Sequence, residues 1–219
     1  MSDALLPRRF LFSFSQPCLY RHPLWTNQRL EAKYRLIDFA ELEEKPNRIE
    51  VRAAWSEEGL AFAVTVEGKR QPPWCRHHRA EDSDGVQFWI DTRAVHNVHR
   101  AGRFCHSFLF LPTGGGSRLD QPVAQIMPIN RAKENPREIH PEQFRVVSRK
   151  LPGGYALDIF IPAAALTGFD PQEHPRLGFT CAVLDRELGE QTLGVGSPMP
   201  YQEDPSLWTT LELTREERD

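Results

Sequence analysis

The chain has 219 residues, of which 40% are hydrophobic and 10% aromatic, and its formal net charge at pH 7 is −3. These proportions are sufficient for one buried core, and they exclude a chain that is disordered throughout. The 27 basic residues are balanced by 30 acidic ones and form no stripe, so nothing favours a nucleic-acid partner. We expect a single domain over residues 1–219.

The first residues and the cysteines bear on the cellular compartment. Residues 1–10 lack the charged-then-apolar order of a secretory signal, and no apolar run approaches the roughly 20 residues of a membrane-spanning helix. The four cysteines are far apart and show no C-x-x-C spacing. We therefore expect a cytoplasmic protein with reduced thiols and no membrane partner.

The N-terminal region gives one strand signal. Phe10, Phe12 and Phe14 occupy alternate positions, which predicts a short opening strand. Residues 15–47 are expected to be irregular, apart from one or two helical turns over residues 38–45.

A hairpin follows. Apolar residues alternate over residues 49–55 and again over 60–66, and the Glu- and Gly-containing residues 56–59 between them suit a turn. Beyond the hairpin, residues 71–79 contain two adjacent prolines, which fix φ and remove backbone donors. We predict an irregular loop there.

The next two strands are predicted to pair with each other. Antiparallel pairing of the runs around residues 86–90 and 104–110 places Phe88 opposite Phe108 and Val86 opposite Phe110 on one apolar face. The reverse, more polar face then carries four residues: Trp89, Asp91, Cys105 and Ser107.

The second half of the chain contains more strands and one short helix. Strands are predicted over residues 144–149, 155–161, 179–183 and 211–213, with a helix that begins at Pro162 and ends near Gly168. The segment 185–207 is expected to be a long connection. Many strands with one or two short helices predict an all-β fold.

Five segments resemble family 9 carbohydrate-binding modules, in the family's order: residues 59–68, 82–91, 155–166, 177–185 and 208–213. The resemblance covers about residues 48–213. It implies a two-sheet antiparallel β-sandwich, jelly-roll-like and related to the DOMON domains that bind sugars or haem. It also implies non-catalytic binding of a carbohydrate or related small polar ligand, held on aromatic rings while polar side chains bond its hydroxyls.

Six residues make up the predicted ligand site: Trp74, Trp89, Asp91, His99, Arg103 and His106. Trp74 is either a loop plug or a stacking platform, and burial under a loop is the favoured interpretation of Trp89. Arginines beside the histidines are suited to gripping a carboxylate or sugar hydroxyls. The histidines and the cysteine of residues 96–106 also permit zinc, although their spacing fits no standard zinc finger.

Two alternatives of other classes remain open. Haem could be held as in some DOMON domains, with Met127 or Met199 opposite His99 or His106. A structural or partner-binding sandwich with no small-molecule ligand is the third interpretation.

The sequence lacks the common motifs of enzymes and of calcium-binding loops. The sequence has no G-x-S-x-G elbow, H-E-x-x-H pair or dinucleotide fingerprint. Asp82 and Asp84 lack the ligand spacing and the turning glycine of a calcium loop. We expect a binding protein rather than an enzyme, with no cofactor.

Overall fold

The computed structural model describes residues 14–37 and 48–215. Within these ranges the fold consists of eleven strands joined by loops and 3-10 turns. The strands are β1 Ser15–Tyr20, β2 Ile49–Ser56, β3 Gly59–Glu67, β4 Gly85–Asp91, β5 Cys105–Gly115, β6 Gln121–Ile126, β7 Arg145–Leu151, β8 Gly154–Pro162, β9 Arg176–Asp185, β10 Gly189–Leu193 and β11 Thr209–Thr214. The 3-10 turns are Ala32–Tyr34, His77–Asp82, Pro141–Gln143, Ala163–Ala165 and Pro205–Leu207.

The strands form two facing layers, as the predicted β-sandwich requires. One layer has the order β6-β5-β4-β9-β11, with β10 also paired to β9, and the other has the order β2-β3-β8-β7. β1 links the layers because it pairs with β11 on one side and β2 on the other. Between the layers, Phe62 of β3 packs against Phe88 of β4, with ring centroids 4.4 Å apart. The main hydrophobic core therefore lies between the layers.

The hairpin β2–β3 turns where the sequence predicts it. Ser56 pairs with Gly59, whose φ of 139° lies outside the range that residues with a Cβ normally adopt. A Cβ at this position would lie 2.1 Å from the carbonyl oxygen of Ile161, so the close approach of β8 also requires glycine.

The predicted register of β4 and β5 is confirmed. Phe88 lies opposite Phe108 and Val86 lies opposite Phe110, and all four side chains are fully buried in the main core. Trp89 pairs with Ser107 and Asp91 with Cys105 on the reverse face. Alternation was sufficient here because a shift by one residue would turn every phenylalanine to the wrong face.

Three strands escaped the sequence analysis, and one detail of the sandwich differs. The expectation that residues 15–47 are irregular is wrong for β1, and the predicted connection 185–207 contains β10. The third is β6, which borders β5. The sandwich is not wholly antiparallel, because β1 is parallel to both of its neighbours.

One of the two predicted helices is shorter than expected, and the other lies outside the described residues together with most of the predicted opening strand. The helix predicted after Pro162 is a single 3-10 turn, Ala163–Ala165. The helical turns predicted over residues 38–45 lie outside the described residues, as do Phe10 and Phe12 of the predicted opening strand. Within the described ranges, no helix is long and apolar enough to cross a lipid bilayer.

Candidate functional site

The structure separates Trp74 from the other predicted site residues. The backbone of Trp74 is bonded to Asp84, immediately before β4 begins, whereas Asp91 is the last residue of β4. Six strand steps of about 3.3 Å place these two ends of β4 about 20 Å apart. His99 and Arg103 lie in the loop that follows Asp91, and His106 lies at the start of β5. The six residues therefore do not form one site.

Trp89 lies between the two ends of β4 and is buried. Its side chain is on the outer face of the layer, where the segment 195–208 covers it, and 2% of the residue is exposed. Tyr201 of that segment meets the indole edge to face, with ring centroids 5.3 Å apart. Trp89 thus fills a small second core rather than presenting a surface to a ligand.

Asp91 and His99 bond to groups of the protein itself. The Asp91 carboxylate accepts the backbone N–H groups of Arg93 and Val95, each at 2.9 Å, and so closes the turn after β4. The exposed His99 imidazole lies 3.1 Å from the carboxylate of Asp204. The guanidinium of Arg103 lies over the ring of Phe104, 5.0 Å from its centroid.

His106 is buried on the core side of β5, facing away from Asp91. Its Nε2 atom accepts the backbone N–H of Thr167 at 2.9 Å, and its ring stacks on Phe108. Burial lowers the pKa of His106 to about 4, so the ring is neutral at pH 7. His106 and Met127 do line one apolar cavity of about 370 Å³. The Nε2 lone pair already accepts the hydrogen bond from Thr167. His106 could therefore serve as an axial haem ligand through Nε2 only if that bond were broken.

Trp74 lies in the loop between β3 and β4, and its indole is half-buried. The guanidinium of Arg186 lies over this ring at 4.3 Å from its centroid, and that of Arg76 at 4.7 Å. Both arginines are exposed. We refer to Trp74, Arg76 and Arg186 as the Trp74 corner. It combines an aromatic surface with cationic donors, which is the chemistry that binds the faces and hydroxyls of polar rings.

A buried charge cluster lies beneath the Trp74 corner. The Lys69 ammonium donates to the carboxylate of Asp84 at 3.1 Å and also to the carboxylate of Asp185. Burial on its own would lower the pKa of Lys69, but the hydrogen bonds to the two carboxylates outweigh it and raise this pKa. All three side chains are at most 2% exposed, so each charge depends on the others.

The same cluster fixes the backbone of both loops at the corner. Asp84 accepts the backbone N–H of Trp74 at 3.0 Å with one carboxylate oxygen, and that of Arg186 at 2.9 Å with the other. In turn, the backbone N–H of Asp84 donates to the carbonyl of Trp74. The indole and one of its arginines are thereby held by a single buried carboxylate.

A second carboxylate joins the same two loops at the surface. Glu187 accepts the backbone N–H groups of Arg70 and Gln71, at distances of 2.9 to 3.1 Å. These hydrogen bonds, with that from Gln71 the larger cause, lower the pKa of Glu187. The loop that carries Trp74 is therefore tied at both the buried and the exposed side.

Sequence reasoning singled out Trp74 as a candidate but missed the residues that the structure places around it. Arg186 is 112 positions further along the chain, inside a segment predicted to be a plain connection. The available signal was Asp185, a lone carboxylate at the end of an apolar strand, because buried carboxylates need a cationic partner. Among the described residues, no three His, Cys, Asp or Glu side chains come close enough to hold a metal ion.

Comparison with known proteins identifies the fold. No protein-family model matches the chain, and no curated protein does. The structure is similar to that of a family 9 carbohydrate-binding module from Caldicellulosiruptor kristjanssonii in complex with glucose, with a TM-score of 0.60 and 12% identity over 94% of this chain and 98% of that one. The same module in complex with cellotriose gives a TM-score of 0.59 and 12% identity over 93% and 95%. A protein from Bacteroides uniformis, proposed to bind carbohydrate, gives 0.55 and 12% over 93% and 100%.

The comparison confirms that the fold resembles family 9 carbohydrate-binding modules, as five segments of the sequence indicated. All three similarities cover nearly the full length of both chains, so the whole β-sandwich is shared rather than one hairpin. At 12% identity the likeness concerns the fold alone.

Proposed function

We propose that this protein binds a neutral carbohydrate non-covalently, with the Trp74 corner as its site. The observation that carries the proposal is the half-buried indole of Trp74, flanked by two exposed guanidinium groups and held by the buried carboxylate of Asp84. The sugar-bound structures of the same fold support this proposal.

The chemistry of the corner suits a pyranose ring. One face of such a ring presents C–H groups, which pack on an indole, while its rim presents hydroxyls that need hydrogen-bond partners. The planar guanidinium groups of Arg76 and Arg186 carry five N–H donors each in a fixed fork, and they already lie within reach of the indole. Because both groups now lie over the indole, at least one exposed arginine swings aside to admit a sugar ring, and it then donates to the hydroxyls of that ring.

The rigidity of the corner favours affinity. Ordering a flexible loop on binding costs about 0.5–1.5 kcal/mol for each immobilised side chain. The backbone of Trp74 is bonded in both directions to Asp84, and its neighbours Arg70 and Gln71 are bonded to Glu187. The backbone part of this ordering is consequently complete when the protein folds, and only the exposed arginine side chains remain to be ordered.

Calorimetric titration with glucose, cellotriose and a panel of other neutral sugars tests the proposal. We expect saturable binding of at least one sugar, its loss in Trp74→Ala, and about tenfold weaker binding in Arg186→Ala or Arg76→Ala. Trp25→Ala is the matched control, because Trp25 is also a half-buried indole but lies on the other layer.

Two results would overturn this assignment. One is no heat of binding from any member of the panel, and the other is sugar binding that Trp74→Ala leaves intact. Thermal unfolding of each variant separates a lost site from a lost fold, since Trp74→Ala keeps every backbone hydrogen bond of the loop.

A further inference from the structure

The outer face of the other layer has a depression because its central positions carry small side chains. Four outward-facing alanines lie on adjacent strands of β2, β3 and β8: Ala54, Ala61, Ala63 and Ala156. Larger side chains surround them on the same face, with Phe160 next to Ala61 and Asp158 next to Ala63. A sheet face of this kind accepts a covering segment or a ligand.

The N-terminal loop covers only part of this depression. Leu24, Leu30 and Tyr34 pack onto the alanines and form a separate apolar cluster with Phe160. Trp25 lies beside Phe160, with ring centroids 6.0 Å apart, and remains half-buried. Between this loop and β7 an open cleft of about 260 Å³ remains, which we call the Trp25 cleft.

The charged groups of the Trp25 cleft centre on one carboxylate. Asp158 is 8% exposed and accepts hydrogen bonds from Arg29, at 3.1 Å, and from Arg149. Arg29 also donates to the hydroxyl of Thr65 at 2.7 Å. These three bonds engage three of the ten N–H donors that the two guanidinium groups carry.

The cleft as a whole has a surplus of positive charge. Arg21 lines it together with Arg29 and Arg149, and Asp158 is the one acidic residue among the described lining residues, which leaves two positive charges uncompensated. The side chains of Arg29 and Arg149 are 27% and 43% exposed, so their remaining donors are accessible. A cationic cleft with an indole at its wall favours an anion that has an apolar ring face.

We infer that the Trp25 cleft is a second binding site, for a small carboxylic acid that contains one six-membered ring, and that a hexuronic acid is the class it fits. The carboxylate is held by Arg29 and Arg149, and the ring lies against Trp25. The exposed amides of Asn27 and Gln28, which line the same cleft, bond the hydroxyls. The cleft volume of about 260 Å³ lies just below the usual range of about 300–1000 Å³ for ligand sites, so the ligand has a single ring.

Titration of the full-length Trp74→Ala variant, which lacks the aromatic surface of the Trp74 corner, with glucuronate and separately with glucose tests this inference, because the two sugars differ only at C6, where glucuronate carries a carboxylate. We expect glucuronate to bind at least about tenfold more tightly at this cleft than glucose. Raising the salt concentration from about 0.01 M to about 1 M shortens the Debye length from about 30 Å to about 3 Å, so glucuronate binding should weaken. Benzoate is the third ligand, and binding as tight as that of glucuronate would overturn the assignment to a sugar acid.

Variants separate this site from the Trp74 corner. We expect Arg149→Gln and Trp25→Ala, each made in the Trp74→Ala background, to weaken glucuronate binding about tenfold. Arg118→Gln in the same background, at an exposed arginine that does not line the cleft, should leave it unchanged. Arg149→Lys, which keeps the charge but loses the planar fork, should retain only part of the affinity. Trp25→Ala could destabilise the protein. Arg149→Gln then still tests the site, because it changes a half-exposed side chain of β7 and leaves the fold intact.

Glucuronate binding that is absent, that persists in Arg149→Gln and Trp25→Ala, or that is matched by glucose would overturn the inference. None of these results bears on neutral-sugar binding, which depends on Trp74. Conversely, if no neutral sugar binds, the inference about glucuronate still stands or falls on the Arg149 and Trp25 variants.

Discussion

One cluster of three charges lies beneath the Trp74 corner and another lies in the Trp25 cleft, with the signs reversed. Near the corner one lysine, Lys69, lies between two aspartates, and in the cleft one aspartate, Asp158, lies between two arginines. The Lys69 side chain is 2% exposed, whereas the cleft arginines are 27% and 43% exposed. Because fully buried charges must satisfy one another, the first cluster holds loops in place. The second keeps donors available for a ligand.

The position of the aromatic ring relative to each cluster leads to the same conclusion. Trp74 lies above its cluster, and its backbone is bonded to Asp84. Trp25 belongs to the wall of the cleft, beside the arginines that surround Asp158. In the corner the buried charges position the aromatic platform, whereas in the cleft the charges and the platform line the same open space.

The largest effect is expected at the buried cluster. Lys69→Met removes the cation between Asp84 and Asp185 and leaves two buried carboxylates without it, which should lower the free energy of unfolding by about 3–5 kcal/mol. Urea denaturation monitored by tryptophan fluorescence measures the change. Arg149→Met is the matched control in the cleft and should cost at most about 1 kcal/mol, since Arg149 is half-exposed. Equal losses in the two variants would contradict the distinction between the clusters.

The next effect concerns a buried ionisable group that is held by a backbone hydrogen bond. The pKa of His106 falls from about 6.5 in the unfolded chain to about 4 in the folded protein. The unfolded chain therefore binds the proton more readily between these values. The stabilisation is complete above about pH 6.5 and is lost progressively as the pH falls towards 4, by up to about 3 kcal/mol.

His106→Gln keeps an acceptor for the N–H of Thr167 and removes the titration. Urea unfolding of both proteins at pH 7 and pH 4.5 should show the wild type losing about 2–3 kcal/mol more than the variant. Parallel losses in the two proteins would mean that His106 does not carry this acid sensitivity.

A smaller loss in the free energy of unfolding is expected when the carboxylate of Asp158 in the Trp25 cleft is replaced. Asp158→Asn leaves Arg29 and Arg149 without their anion, but both guanidinium groups reach solvent, and the amide oxygen still accepts one hydrogen bond. We expect a loss of about 1–2 kcal/mol on urea denaturation. A loss as large as that of Lys69→Met would contradict the view that the cleft charges are screened by solvent.

The smallest effect is expected at Tyr155, whose buried hydroxyl finds no hydrogen-bond partner among the described residues. Burial, followed by the charges of Asp185 and Asp84, raises the pKa of this hydroxyl, so it stays protonated. Tyr155→Phe removes a buried polar group without opening a large cavity. The free energy of unfolding should change by less than about 1 kcal/mol, and it should rise rather than fall. A loss above about 2 kcal/mol would indicate that the hydroxyl makes a stabilising bond.

The predictable part of the fold is the part in which alternating side chains report burial directly. The register of Phe88 against Phe108 followed from parity alone. β1 was missed because one of its buried residues is polar: Gln16 is 2% exposed and accepts the backbone N–H of Ile37. β10 was missed because Gly189–Leu193 is mostly polar, and its pairing with β9 is a tertiary contact.

The sites were less predictable for a related reason. Alternation tells which face of a strand a residue occupies but not which end of the sandwich its loop approaches, so Trp74 was grouped with Asp91. The Trp25 cleft depends on Arg29, Arg149 and Asp158 meeting across more than a hundred positions of the chain. Local sequence patterns do not predict contacts between residues so far apart in the chain.

The parallel strand β1 constrains how this chain acquires its structure during synthesis. Ser15 bonds to Glu212, 197 positions later, and β1 pairs with β11 from Ser15 to Leu19. A ribosome makes β1 well before β11, so β1 waits until all the intervening strands have been synthesised before its partner emerges. Such long-range closure slows folding, and exposed strand edges in the waiting chain invite chaperones or aggregation.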